Sequence, residues 1–157
     1  MFARRKKLDQ PLTPDEALPK LEQYCAYQER SPQEVREKIQ SLGLRGEAAE
    51  ILYHTLETEG FCNEQRFAEG FARGKFRFNH WGRVRIRQAM RQKGISPALV
   101  ESALQEIDEA EYEQVLRTLW EKKMNEFQGD EKARDKAMAS LLRAGFESNL
   151  VFGLKVR

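Results

Sequence analysis

The sequence lacks any long apolar segment. No run in its 157 residues approaches the roughly 20 apolar residues that are needed to span a bilayer. The N-terminal stretch MFARRKKLDQPLTP is basic, but it lacks the apolar core of a secretory signal. Charged residues make up 33% of the chain, and the 40% that are hydrophobic are still enough for a core. We therefore expect a soluble, cytoplasmic protein that does not contact a membrane.

Cysteine and histidine are also scarce, which disfavours the common metal and nucleophile sites. Cys25 and Cys62 belong to no CxxC pair, so they indicate neither a zinc site nor a disulfide framework. We expect both to be reduced thiols in or near the core. His54 and His80 lie in no HExxH pattern, and spacing nominates no set of serine, histidine and acid. The expectation is a protein without metal, cofactor or catalytic residues, and therefore not an enzyme.

What the sequence does contain is an internal repeat. Three segments share the order apolar, three residues, apolar, three residues, glycine, apolar; they are VREKIQSLGL (35–44), IRQAMRQKGI (86–95) and AMASLLRAGF (137–146). Their glycines, Gly43, Gly94 and Gly145, are 51 residues apart. Each segment predicts a helix that ends at a left-handed glycine, with the next apolar residue packed against the cap. A period of this length is typical of stacked supersecondary units.

The sequence predicts one further helix before and one after each of these three. Several starts carry capping signals: Ser31 and Glu34 form a capping box, Ser96 precedes a proline, and Asn63 precedes Glu64. No segment alternates with period two for long enough to predict a strand. The predicted fold is all-α, with nine helices in three tandem three-helix, helix-turn-helix-like repeats that form an elongated, curved monomer. The predicted divisions are a flexible, basic, proline-containing tail (1–19) and the repeats 20–62, 63–108 and 109–157.

Charge is distributed unevenly along the chain. The formal net charge is only +2, but residues 66–94 contain nine Lys or Arg residues and one acid, whereas residues 101–131 contain ten acids and three bases. Such asymmetry is evidence about binding partners. The candidate binding residues are seven cations and one aromatic ring of the basic stretch: Arg73, Lys75, Arg77, Trp81, Arg83, Arg87, Arg91 and Lys93.

Three of these cations form a regular pattern. Arg83, Arg87 and Arg91 recur every four residues, which predicts a stripe along one side of the central helix that is free to bind phosphate or carboxylate. Additional aromatic surface is expected nearby, from Phe76, Phe78 and Trp81. The alternative is a solvated basic face that pairs with the acidic third repeat. Sequence-specific reading of DNA is disfavoured because the helix after Gly94 is acidic, but non-specific phosphate contact is still allowed.

The basic stretch resembles the most recognisable block of the RecX family. The matching residues are Arg66-Phe67-Ala68 with Phe71, Trp81-Gly82, Arg83-x-Arg85-Ile86-Arg87 and Lys93-Gly94-Ile95. The first and third repeats are also similar to that family, so the resemblance covers roughly residues 18–157. The sequence departs from the family pattern at Arg83, where many relatives carry proline, and at Met90, where leucine is common. Both departures are compatible with a helix, and the one at Arg83 adds a charge.

The resemblance implies a regulator of the RecA recombinase. It implies an all-α protein of three three-helix repeats that binds along the groove of the RecA nucleoprotein filament and dampens ATP hydrolysis, strand exchange and co-protease activity. The expected partners are the RecA filament and the backbone of single- or double-stranded DNA within it. The alternative is a non-specific nucleic-acid-binding helical module that acts independently of RecA.

Overall fold

The residues that the computed structural model describes, 10–154, form nine helices. In chain order these are α1 (Pro14–Tyr27), α2 (Pro32–Ser41), α3 (Gly46–Thr58), α4 (Glu64–Asn79), α5 (Arg83–Gln92), α6 (Pro97–Gln105), α7 (Glu109–Glu126), α8 (Ala133–Arg143) and α9 (Ser148–Gly153). No strand occurs among residues 10–154, and the predicted all-α fold is confirmed. None of these nine helices is both long and apolar enough to cross a membrane.

The first helix begins earlier than the predicted end of the tail. Residues 1–9 of that tail lie outside the described residues, but α1 begins at Pro14 rather than near residue 20. Thr13 is its N-cap, and the Thr13 hydroxyl accepts a hydrogen bond from the Glu16 amide at 3.3 Å. Pro14 stands in the first turn, where the amide hydrogen that it lacks is not needed. A proline that suggests a tail in the sequence is therefore part of a helix start.

The three repeat glycines end α2, α5 and α8 as predicted. The φ angles of Gly43, Gly94 and Gly145 are 87°, 75° and 99°, in the left-handed region that disfavours other residues. In each case the next residue donates its N–H back into the last turn of the helix: Leu44 to Ile39 O (3.4 Å), Ile95 to Met90 O (3.1 Å) and Phe146 to Leu141 O (3.2 Å). The three donor residues are buried. One sequence pattern therefore encodes the same helix end three times.

Two of the three predicted helix caps form as expected. The Ser31 hydroxyl accepts from the Glu34 amide at 3.1 Å, and the Glu34 carboxylate accepts from the Ser31 amide at 3.3 Å, which completes the capping box. The Asn63 side chain accepts from the Arg66 amide at 2.8 Å at the start of α4. Ser96 is the N-cap of α6, but its side chain makes no capping hydrogen bond.

The chain divides into two units, one ending at Phe67 and the other beginning at Ala68. The core of the first unit includes Cys25 and Cys62, which are free, buried thiols as predicted. The core of the second unit includes Tyr112, whose ring stacks on Phe76 with 5.5 Å between centroids and lies 5.3 Å from the ring of Phe146. The predicted second and third repeats lie largely within this second unit, and the grouping into three repeats stays a prediction.

Candidate functional site

The centre of the RecX-like motif, Trp81-Gly82-Arg83, forms a joint between two helices of the second unit. The N–H of Gly82, the N-cap of α5, donates to Ala144 O at 2.8 Å, and the N–H of Val84 donates to Gly145 O at 2.9 Å. The carbonyls that end α8 therefore satisfy amides that start α5, which also aligns the two helix dipoles favourably. A Cβ added to Gly82 would lie 2.2 Å from the Gly145 carbonyl carbon, so glycine is required here by the close approach.

Arg83 is the principal side chain of this joint. Its amide donates to the Tyr112 hydroxyl at 3.1 Å, and its guanidinium lies 3.8 Å from the Tyr112 ring centroid. The guanidinium donates to Glu109 at 2.5 Å and to Glu147 at 2.8 Å, and only 13% of the side chain is exposed. Burial alone would lower the pKa of Arg83, but its hydrogen bonds to the two carboxylates outweigh that effect and raise the pKa. Arg83 is therefore a permanent cation that is held inside the protein.

Two further cations of the predicted set are also paired with acids. Arg87 donates two hydrogen bonds to the carboxylate of Glu101, at 2.6 and 3.3 Å, and the first of these holds the pKa of Glu101 below its usual value. Arg77 lies 3.3 Å from the carboxylate of Glu111. The expectation of a stripe that is free to bind is therefore wrong for Arg83 and Arg87, because acids far away in the sequence meet them in the fold.

Arg73 lies beside the same acidic helix. It lines an open groove of about 240 Å³ together with Arg77 and the acids Glu106, Asp108 and Glu111. The alternative predicted from the sequence is a basic face that pairs with the acidic third repeat. Arg77 and Arg83 form such pairs, and Arg73 lies close to acids without pairing with any that the structure describes. Basic residues on this side of α4 and α5 therefore face acids of α7, and part of the positive charge of the second unit is neutralised within the unit.

A different set of side chains forms a ladder in which cations and aromatic rings alternate. The Lys75 ammonium lies 4.8 Å from the Trp81 ring centroid and 5.5 Å from that of Phe71. The Arg85 guanidinium lies 4.0 Å from the Trp81 centroid, and the Lys93 ammonium lies 5.7 Å from that of Phe71. These distances are within the range of cation–π attraction. We call these five residues, Phe71, Lys75, Trp81, Arg85 and Lys93, the cation–aromatic ladder.

Two cations of the ladder form no ion pair with an acid in the described part of the chain, and neither does Arg91, which lies on the same side of α5 as Arg87. Among the described residues, no carboxylate lies within 4.0 Å of the charged groups of Lys75, Arg85 or Arg91. Trp81 is half-buried and Arg85 is exposed, so a ligand can reach both. Phe78, one of the predicted surface aromatics, is 86% exposed. Of the predicted set, Lys75 and Trp81 therefore lie together on a candidate binding surface, and Arg91, which pairs with none of the described acids, stands apart from it.

Sequence reasoning missed Arg85 and misplaced Phe76. Arg85 does not belong to the four-residue pattern of Arg83, Arg87 and Arg91, and it is therefore absent from the predicted binding residues. One sequence feature could have indicated Arg85: a cation follows an aromatic residue by four positions at Phe71 and Lys75, and again at Trp81 and Arg85. The expectation that Phe76 supplies surface is wrong, because its side chain is 2% exposed and stacks on the core residue Tyr112.

The fold and this surface define a class: an all-helical protein built from three-helix units, with a basic and aromatic patch beside its central helix. A family model described as the second three-helix domain of RecX matches residues 63–104, which contain the ladder and the α5 side of the joint. The regulatory protein RecX of Prosthecochloris aestuarii is 33% identical over 129 residues, covering 82% of this chain and 83% of that protein. The chain belongs to the RecX family of regulatory proteins.

Other members differ in length, while the solved structures agree in fold. The regulatory protein RecX of Oceanobacillus iheyensis is 27% identical over 130 residues, and the match covers 82% of this chain but only 48% of that protein. The crystal structure of RecX from Lactobacillus salivarius superposes with a TM-score of 0.84 at 24% identity and covers 90% of this chain and 93% of the other. That likeness supports the fold and adds nothing about individual binding residues.

Proposed function

We propose that this protein binds the RecA nucleoprotein filament and mainly inhibits its ATPase, strand-exchange and co-protease activities. Support comes from the membership in a family of regulatory proteins, which the sequence resemblance associates with RecA. We propose the cation–aromatic ladder as the surface that docks. Arg77, Arg83 and Arg87 pair with acids of other helices and so help to hold the second unit together.

One observation carries the proposal: Lys75 and Arg85 lie on the ring of Trp81 without a carboxylate partner. A filament groove offers protein carboxylates and DNA phosphates, and unpaired guanidinium and ammonium groups are suited to both. The aromatic ring can bury apolar area on binding, as tryptophan does at the centres of many interfaces. The two charged groups would contribute much less to stability, since neither bridges to another described element through an ion pair.

The test is the single-strand-dependent ATPase of RecA in the presence of this protein. The wild type is expected to inhibit, and Lys75→Gln with Arg85→Gln is expected to raise the concentration for half-inhibition about fivefold or more, since the variant cannot make two charged contacts with the filament. Lys122→Gln with Lys132→Gln is the matched control, because it removes the same charge from positions outside the ladder. Absence of inhibition by the wild type would contradict the function. Equal inhibition by all three proteins would contradict only the assigned surface.

The second candidate is a nucleic-acid-binding module that acts without RecA. The observation that favours it is the alternation of rings and cations in the ladder, which also suits stacked bases and their phosphates. It predicts tight binding of DNA by the protein alone, with affinity that falls steeply as salt rises. Weak binding of DNA at physiological salt, together with co-sedimentation on RecA filaments, would exclude it.

A further inference from the structure

A second basic and aromatic face lies in the first unit, where the sequence nominates no site. Lys20, Tyr24 and Tyr27 are spaced by four and three residues on α1 and therefore lie along one side of that helix. Lys20 is exposed, and 83% of Tyr27 is exposed. Lys38 approaches the same side from α2, with its ammonium 5.3 Å from the Tyr24 ring centroid. Together with Arg30, these residues line an open groove, which we call the α1–α2 groove.

Arg30 orders the two tyrosine rings of this groove. Its guanidinium lies 3.8 Å from the Tyr24 centroid and 5.9 Å from the Tyr27 centroid. Its Nε also donates to the Tyr24 carbonyl at 3.1 Å, which fixes the guanidinium against the end of α1. Only 14% of the Arg30 side chain is exposed. Arg30 and the Tyr24 ring therefore form the floor of the groove, on which the exposed Tyr27 ring and the two lysines are the groups that a ligand can reach.

The two acids that flank Arg30 in the sequence are already engaged, whereas Glu37 acts electrostatically on Tyr24 without pairing with either lysine of the groove. Glu34 accepts from the Ser31 amide in the capping box and lies 3.9 Å from Arg30. Glu29 pairs with Arg66 at 2.5 Å. No carboxylate of the described residues forms an ion pair with Lys20 or Lys38. The two lysines therefore keep their charge available to an anionic ligand.

The exposed ring is a repeated feature rather than an isolated one. Tyr27 and Phe78 are 51 residues apart, which is also the spacing of the repeat glycines. They lie at or next to the ends of α1 and α4, and they are 83% and 86% exposed. A ring that is almost entirely in water buries little apolar area, so packing does not explain its presence. Beside Tyr27 in the groove stand Lys20 and Gln23, which are polar, so the ring is not part of the continuous apolar patch typical of a hydrophobic protein interface.

We infer that the α1–α2 groove binds single-stranded nucleic acid, with a base stacked on Tyr27 and phosphates held by Lys20 and Lys38. A ring flanked by cations is the combination that single-strand-binding surfaces use, since every base has a face that stacks and every nucleotide carries a phosphate. A duplex is a poorer ligand, because its bases are already stacked on one another. This inference does not depend on the proposed function, and it concerns residues outside the cation–aromatic ladder.

The test uses the full-length protein without RecA and a fluorescently labelled oligothymidylate of about 12 nucleotides. Tyr27→Ala is expected to weaken binding about fivefold or more, since a stacked base contributes at least about 1 kcal/mol. Tyr27→Phe keeps the ring and should bind like the wild type. Ile51→Ala, which also truncates an exposed apolar side chain of the first unit, is the matched control and should leave binding unchanged.

Salt dependence tests the phosphate contacts separately. Lys20→Gln with Lys38→Gln should reduce the slope of log affinity against log salt by about 1.4, because each lysine that neutralises a phosphate of a single strand contributes about 0.7 to that slope. Lys122→Gln with Lys132→Gln removes the same charge elsewhere and should leave the slope close to that of the wild type. Equal binding by Tyr27→Ala and the wild type would overturn the inference. So would equal competition by polyglutamate and unlabelled oligothymidylate, because it would show a site for acidic protein rather than nucleic acid.

Discussion

The joint between α5 and α8 predicts that Gly82→Ala destabilises the second unit strongly. The φ angle of Gly82 is −78°, which alanine adopts freely, so the effect of the substitution is purely steric. The added methyl would lie 2.2 Å from Gly145 C, 2.3 Å from Gly145 O and 2.3 Å from Phe146 N. Since carbon atoms pack at about 3.5–4.0 Å, the two backbones must separate by more than about 1 Å. That movement breaks the hydrogen bonds donated by Gly82 and Val84.

The expected loss is about 2–6 kcal/mol in the free energy of unfolding. Two hydrogen bonds contribute about 0.5–1.5 kcal/mol each, and overpacking adds about 1–3 kcal/mol. Guanidinium denaturation followed by tryptophan fluorescence measures the loss in the relevant unit, because Trp81 and Trp120 both lie in it. Hydrogen exchange should also show faster exchange at the amides of Gly82 and Val84.

The matched control for this prediction is Gly74→Ala. Gly74 lies inside α4, and an added Cβ there meets nothing within 4 Å. Alanine is the better helix former by about 0.5–1 kcal/mol, so this variant should be more stable than the wild type. The change in the free energy of unfolding is therefore expected to have opposite signs for Gly82→Ala and Gly74→Ala. A Gly82→Ala protein that unfolds within about 0.5 kcal/mol of the wild type would refute the close approach of the two helix ends.

Three further outcomes are expected. Burial raises the pKa of the Cys25 thiol to about 11 and also raises that of Cys62, so both should react slowly with a disulfide reagent at pH 8 in the native protein and rapidly in denaturant. His80 has a φ of 55°, so His80→Gly should relieve left-handed strain and raise the stability of the second unit by about 0.5–1 kcal/mol, as measured by denaturation. Ser31→Ala removes a fully buried cap and should lower the stability of the first unit by about 1–2 kcal/mol, which hydrogen exchange in α2 can follow.

The parts of the fold that sequence reasoning predicts well are set by local interactions. The glycine caps depend on a left-handed residue followed by an apolar one, and both are visible within ten residues of sequence. The Ser31 capping box is similarly local, because all its partners lie within one turn. The start of α1 is harder to predict, since Pro14 is compatible with both a tail and a first helical turn. The contact between Gly82 and Gly145 is invisible to such reasoning, because 62 intervening residues separate its two sides.

The candidate site is less predictable than the fold because charge can be compensated from a distance. The four-residue spacing of Arg83, Arg87 and Arg91 correctly places them on one side of α5, but helical periodicity cannot tell whether acids of another helix face that side. In this protein Glu101, Glu109 and Glu147 meet the first two arginines. The runs of opposite charge along the sequence already indicated that basic and acidic segments could pair. Their pairing could be proposed from charge alone, but the partners could be assigned only after the fold was known.

Arg83 shows how one departure from a family pattern can change the source of a restraint. Proline, which the family resemblance leads one to expect at this position, would fix the first turn of α5 through its own ring. Arg83 is instead fixed by its neighbours: its amide donates to the Tyr112 hydroxyl, a bond that proline cannot donate, and its guanidinium pairs with Glu109 and Glu147. With arginine at this position, the start of α5 is therefore held by contacts with α7 and with the start of α9 rather than by the ring of a proline. From the sequence, Arg83 is expected to belong to a stripe of cations that is free to bind. In the fold, the same charge pairs with Glu109 and Glu147, which explains why Arg83 faces inward and is not part of the proposed docking surface.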